Sequence, residues 1–118
     1  TAAVYCTKSI VLETASTSLD VRLTSNIRST SKVKMYYRII GSEDDTTIDK
    51  IGWTPFNTDG EEDITVTPAE NNTSFKEYKY SVSGLKDFTT FQLKIGMTGS
   101  TSSYPPIIRD MRAIALAV

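Results

Sequence analysis

The chain has 118 residues, of which 13 are basic and 14 acidic, with one cysteine and no histidine. The lack of histidine excludes a Ser-His-Asp triad and a histidine metal site, and a lone cysteine excludes an intrachain disulfide. A net charge of −1 and the lack of a roughly 20-residue apolar run give no reason to expect nucleic acid or a membrane as a partner.

The length is typical of one domain, here residues 1–118. The first residue is Thr1 rather than a start methionine, so we interpret the domain as excised from a longer polypeptide. Apolar and polar residues alternate along much of the chain, which predicts β-strands because strand side chains point alternately to two faces.

In the first half of the chain, the alternation predicts strands at residues 4–11, 19–24 and 32–40. The first of these places Cys6 in phase with Val4 and Ile10, so Cys6 is predicted to be a buried, inert thiol. From residue 42 to residue 63 the alternation lapses into a polar loop. The predicted elements of this half are therefore all extended.

In the second half, the alternation predicts strands at residues 64–67, 75–83 and 89–98. Residues 107–118 are mostly apolar, with large side chains on one face and small ones on the other, which suggests a strand buried on both sides. A helix is the competing interpretation because Met, Arg and Ala are good helix formers. We favour a strand, since neither an N-cap nor a 3.6-residue apolar stripe marks a helix.

The predicted fold is all-β: an antiparallel two-sheet sandwich, jelly-roll-like, with seven or eight strands. Turn signals such as Asp59-Gly60 separate the predicted strands at short intervals. Both termini are regular and apolar, so we expect the first and last strands to be neighbours in one sheet.

No catalytic, cofactor or metal site is predicted. The acidic runs at residues 43–45 and 59–63 match no calcium-binding loop, and we interpret them as solvated loops. They could in principle supply the carboxylate pair of a glycosidase, but loop carboxylates on a small sandwich rarely face a substrate cleft. We therefore expect no enzymatic activity.

The candidate contact residues for a ligand or partner are Tyr36, Trp53, Arg109 and Arg112. Tyr36 lies opposite the core residues of its strand, in a basic stripe with Lys32, Lys34 and Arg38, and exposed aromatic rings can bind sugars. The competing interpretation is that Trp53, together with the tyrosines that alternate in phase with core residues, fills the core. Arg109 and Arg112 interrupt an apolar segment, which indicates a strand-end charge network or a contact with a neighbouring domain. A site for an anionic ligand is the less favoured alternative.

Two segments carry a resemblance: residues 88–98 (FTTFQLKIGMT) and 105–116 (PPIIRDMRAIAL). With residues 19–23 (LDVRL) and 32–38 (KVKMYYR), they resemble virion structural proteins of T-even-like, contractile-tailed phages of marine bacteria. The resemblance extends over most of the chain and includes no catalytic motif. It implies a segment of a longer virion polypeptide, located in the virion.

Together these observations predict a non-enzymatic structural module of a phage virion, in the tail, baseplate or a fibre, that acts through protein–protein contacts. Its expected partners are other virion proteins or further copies of itself as a homo-oligomer. The alternative is a lectin-like, carbohydrate-binding jelly-roll module that attaches to surface glycans of the host, an analogy from fold class alone.

Overall fold

The computed structural model describes residues 2–29, 31–41, 43–71, 73–99 and 106–117. These residues form strands and only two short 3-10 helices, Ile48–Lys50 and Phe56–Thr58. The strands, in chain order, are β1 (Ala2–Cys6), β2 (Ile10–Ser16), β3 (Ser18–Asn26), β4 (Ser31–Ile40), β5 (Thr54–Pro55), β6 (Lys76–Val82), β7 (Phe88–Gly99) and β8 (Ile107–Leu116). The predicted all-β class is confirmed.

The described strands form two antiparallel sheets. In the larger sheet, β7 pairs on one side with β4, which also pairs with β5, and on its other side with β1 and β2. In the smaller sheet, β3 lies between β6 and β8. The two-sheet sandwich is confirmed, but β1 and β8 lie in different sheets, so the expectation that they are neighbours in one sheet is wrong.

The core lies between the two sheets and consists mainly of inward-facing residues of β3, β4, β6 and β7. In β3 these are Leu19, Val21 and Leu23, all essentially inaccessible to solvent. The larger sheet contributes Val33, Met35, Tyr37, Phe91, Leu93 and Ile95. Because strand side chains alternate between faces, the residues between these point to the outer surface of each sheet.

The first predicted strand is interrupted at residues 7–9, where the chain passes from β1 to β2. The Thr7 amide donates to the Leu93 carbonyl at 2.9 Å, and the Thr7 hydroxyl accepts from the Leu93 amide at 3.1 Å. The irregularity changes the face: Cys6 pairs with outward-facing Lys94, whereas Ile10 pairs with buried Phe91. Cys6 is therefore exposed, and the prediction of a buried thiol is wrong.

Residues 64–67 do not form the predicted strand. Ile64 is 77% exposed, and the segment is held at its start, where the Asp63 amide donates to the Lys79 carbonyl at 2.8 Å. The Asp63 carboxylate also accepts from the Ser81 amide at 3.0 Å and from the Ser81 hydroxyl. These bonds tether the segment to β6 without continuous pairing, and an alternation of only four residues does not ensure a partner strand.

The last predicted strand is confirmed as β8, and the helix alternative is wrong. Its expected burial on both faces is also wrong, because β8 is an edge strand of the smaller sheet. Its small residues, Ala113 and Ala115, pack against the core. Its large ones, Ile114 and Leu116, point outward and are 57% and 49% exposed.

Candidate functional site

Two aromatic rings and two cations form a row on the outer face of the larger sheet. The Lys94 ammonium lies 4.5 Å from the centroid of the Tyr36 ring and 5.2 Å from that of the Trp53 ring. The Arg38 guanidinium lies 4.2 Å from the Trp53 centroid. We call Tyr36, Lys94, Trp53 and Arg38 the cation–aromatic row. Such contacts hold a cation against the electron-rich face of each ring.

The strand register explains why these four side chains meet. Tyr36 in β4 pairs directly with Lys94 in β7 and, on its other side, with Pro55 in β5. The two-residue strand β5 therefore brings the preceding Trp53 onto the same face.

Hydrogen bonds fix the arginine of the row in place. The Arg38 guanidinium donates to the Gln92 side-chain carbonyl at 2.9 and 2.7 Å and to the Ile51 carbonyl at 3.1 Å. The Gln92 amide in turn donates to the Thr7 carbonyl at 2.7 Å. In contrast, the Lys94 ammonium has no hydrogen bond or ion pair within the described part of the chain, so it remains able to bind an anion.

Sequence reasoning placed Tyr36 on the outer face, and the structure agrees. The competing interpretation for the aromatic residues holds for Tyr78 and Tyr80, which are buried, but not for Trp53, which is only half-buried on the outer face. Lys94 and Gln92 were missed as site residues. Their signal was available, since both alternate with the core residues of the predicted strand 89–98.

Arg109 and Arg112 lie in the smaller sheet, on β8, and do not join the cation–aromatic row. The Arg109 guanidinium lies 4.5 Å from the Phe75 ring centroid. Arg112 Nε lies 3.6 Å from Asp110 Oδ2, and both side chains are exposed. Tyr36 and Trp53 therefore share one surface, whereas Arg109 and Arg112 lie apart from it on β8.

The sandwich is closed along one side and open along the other. On the closed side, Phe56 enters the core and contacts Tyr37 and Tyr80 edge-to-face, at centroid distances of 5.0 and 6.1 Å. On the open side, a groove of about 440 Å³ runs between the sheets. Its lining includes Tyr5 and Met97 from the larger sheet and Ile108 and Met111 from β8.

The described ranges hold no cluster of three or more His, Cys, Asp or Glu side chains arranged to bind a metal ion. They also include no helix of the length and hydropathy needed to span a membrane. The chain matches no protein-family model, no curated protein and no solved structure. An inference about function must therefore come from the geometry of the cation–aromatic row and of the surface around β8.

Proposed function

We propose that this domain is a non-enzymatic assembly module that binds other protein subunits through its edge strand β8 and the exposed outer face of that strand. The observation that carries the proposal is that β8 directs its small alanines to the core and its large apolar side chains to solvent. An edge strand has one unpaired row of backbone groups, and proteins usually protect such strands with charged side chains, Pro or β-bulges. β8 has exposed charges at Asp110 and Arg112, but Ile107, Ile114 and Leu116 are exposed as well, and exposed apolar surface of this kind marks interaction sites.

The setting that we propose is a phage virion, in the tail, the baseplate or a fibre, with other virion proteins as partners. The support is the resemblance of residues 88–98 and 105–116 to virion structural proteins. The second of these segments contains the whole of β8, so the residues that carry the resemblance are also those that form the exposed edge. A rigid sandwich with an apolar edge suits repeated subunit contacts.

The proposal is tested by incorporation into phage particles that encode the chain. We expect Ile114→Lys and Leu116→Lys to lower the amount of the protein in purified particles, measured by quantitative mass spectrometry. Ile64→Lys is the matched control, because Ile64 is also a large apolar side chain, is even more exposed, and lies outside β8. Equal incorporation of all variants, or no wild-type protein in the particles, would refute the proposal.

The cation–aromatic row supports a second candidate function, the binding of surface glycans. Trp53 and Tyr36 lie on one exposed sheet face, as in a sugar-binding platform. Because Arg38 and Lys94 already contact the ring faces, a neutral sugar would have to displace them, whereas an acidic sugar could bind the Lys94 ammonium. If a glycan binds here, we expect it to be anionic, such as a uronate-containing polysaccharide.

A glycan array with neutral and acidic members tests this candidate. Binding that is lost in Trp53→Ala and Lys94→Ala would support it. The same binding should persist in Tyr5→Ala, which removes an exposed aromatic ring in the open groove instead. Retention of wild-type glycan binding in both row variants, or the lack of any bound glycan, would rule out the platform.

A further inference from the structure

The free edge of β8 has backbone groups that no described strand pairs with. The Leu116 carbonyl accepts from the Thr17 amide at 2.8 Å, and the Ile107 carbonyl accepts from the Ser25 hydroxyl at 2.7 Å. Both therefore point towards β3. Since successive residues of a strand direct their backbone groups to opposite edges, Met111, Ala113 and Ala115 direct theirs to the free edge.

A β-bulge at Arg109 determines which side chains share the outer face of β8. Thr24 pairs with Asp110 but Ser25 pairs with Ile108, so Arg109 is an extra residue in the register with β3. The extra residue reverses the alternation. Ile107 therefore lies on the same outer face as Asp110, Arg112 and Ile114, and Ile107 is 44% exposed.

The outer face of β8 thus has a sequence of side chains that complements itself in the antiparallel direction. We propose that two copies of this chain associate by antiparallel pairing of their β8 strands about a twofold axis at Met111. In this register, Asp110 of each copy faces Arg112 of the other. Beyond the bulge, Ile107 of each copy faces Ile114 of the other. The two three-stranded sheets become one continuous sheet.

Other registers are less favourable for a physical reason. Pairing about Arg112 would place the two arginines opposite each other, and pairing about Asp110 would do the same for the two aspartates. Like charges directly opposite each other destabilise a strand pair. Pairing about Ala113 would place Arg112 against Ile114. Only the register about Met111 matches opposite charges and apolar side chains at once.

Within one copy, Arg112 and Asp110 make only a long, exposed contact of 3.6 Å, so both remain available to a partner. A pair of this kind contributes little to the stability of the single chain. The inference rests on the proposed assembly function and specifies its partner as a second copy. Such an isologous contact is closed, so it gives a dimer rather than a fibre.

Charge-swap variants test the register. In Arg112→Asp, residues 110 and 112 are both aspartates, and in Asp110→Arg both are arginines. We expect each variant to self-associate about tenfold more weakly than wild type, because two opposite-charge pairs become like-charge pairs. An equimolar mixture of the two variants should restore dimerisation, since every Asp then faces an Arg. Sedimentation velocity over a concentration series measures the wild type, both variants and their mixture.

Lys79→Asp is the matched control, because Lys79 is an exposed cation on β6, at the opposite edge of the smaller sheet. It should dimerise as wild type does. Wild-type protein that stays monomeric, or a mixture that associates no better than its components, would overturn the self-pairing. If the wild type is monomeric while Ile114→Lys still blocks incorporation into particles, the self-pairing fails but the assembly function stands. If the dimer forms but no protein is incorporated into particles, the self-pairing stands and the assembly function fails.

Discussion

At the scale of single residues, the most unusual group is the Tyr80 hydroxyl, which is buried without a hydrogen-bond partner in the described part of the chain. The ring itself is fully buried against Phe56. A buried hydroxyl that gives up its water without a replacement costs free energy. The position therefore combines a favourable ring with an unfavourable polar atom.

We expect Tyr80→Phe to raise the free energy of unfolding by about 1 kcal/mol, because the ring stays and the unsatisfied oxygen is removed. Urea denaturation at neutral pH measures the change. Tyr80→Leu, which also removes the ring contact with Phe56, should lower the stability instead. A loss of stability in Tyr80→Phe would show that the hydroxyl is hydrogen-bonded in solution.

At the scale of elements, the segment from Phe56 to Gly60 closes one side of the sandwich. Gly60 has φ +83°, and its carbonyl accepts from the Met35 amide at 2.8 Å, which ties the turn to β4. Its amide donates to the Phe56 carbonyl at 2.6 Å. A side chain at Gly60 would be strained by this φ and would lie 3.0 Å from Lys34 Cβ.

Gly60→Ala is therefore expected to destabilise the protein by about 1–3 kcal/mol. Gly52→Ala is the control, because a Cβ at Gly52 meets no atom within 4 Å and should change stability by less than about 0.5 kcal/mol. Thermal or urea unfolding of both variants distinguishes them. Equal stability of the two variants would contradict the turn geometry.

The sequence predicted the positions of the long strands better than it predicted which of the side chains on the other strands are buried. The predicted strands 32–40 and 89–98 match β4 and β7 to within one residue at each end, because long alternation makes both the type of element and its buried face unambiguous. Cys6 was misplaced because the break at residues 7–9 exchanges the two faces. Ile114 was misplaced because alternation does not show whether a strand lies at the edge of a sheet.

At the scale of the whole molecule, the core contains three tyrosines, Tyr37, Tyr78 and Tyr80. Burial raises the pKa of each phenol above its ordinary value, and the Glu62 carboxylate adds to the effect at Tyr78 and Tyr80. The folded protein therefore keeps these protons at a pH where the unfolded chain loses them. Stability must then fall as pH rises, because the folded state binds more protons than the unfolded state.

We expect the free energy of unfolding to decrease as the pH rises above about 10, the ordinary tyrosine pKa. Urea titrations at a series of alkaline pH values measure the slope. The decrease should be shallower in Tyr80→Phe, which has one buried phenol fewer. The same slope in the variant and the wild type would show that Tyr80 does not contribute to the alkaline loss of stability.

Alternation along the chain was enough to predict the all-β class, the faces of the long strands and the outward position of Tyr36, because alternation is a local property that the pleat of a strand converts into burial. It did not show which strands pair, that β8 lies at an edge, or that Trp53 and Lys94 meet across the sheet, since these depend on the folded chain as a whole. Strand pairing joins residues that are far apart in the chain, and the free energy that selects partners comes from the packed core rather than from any one segment.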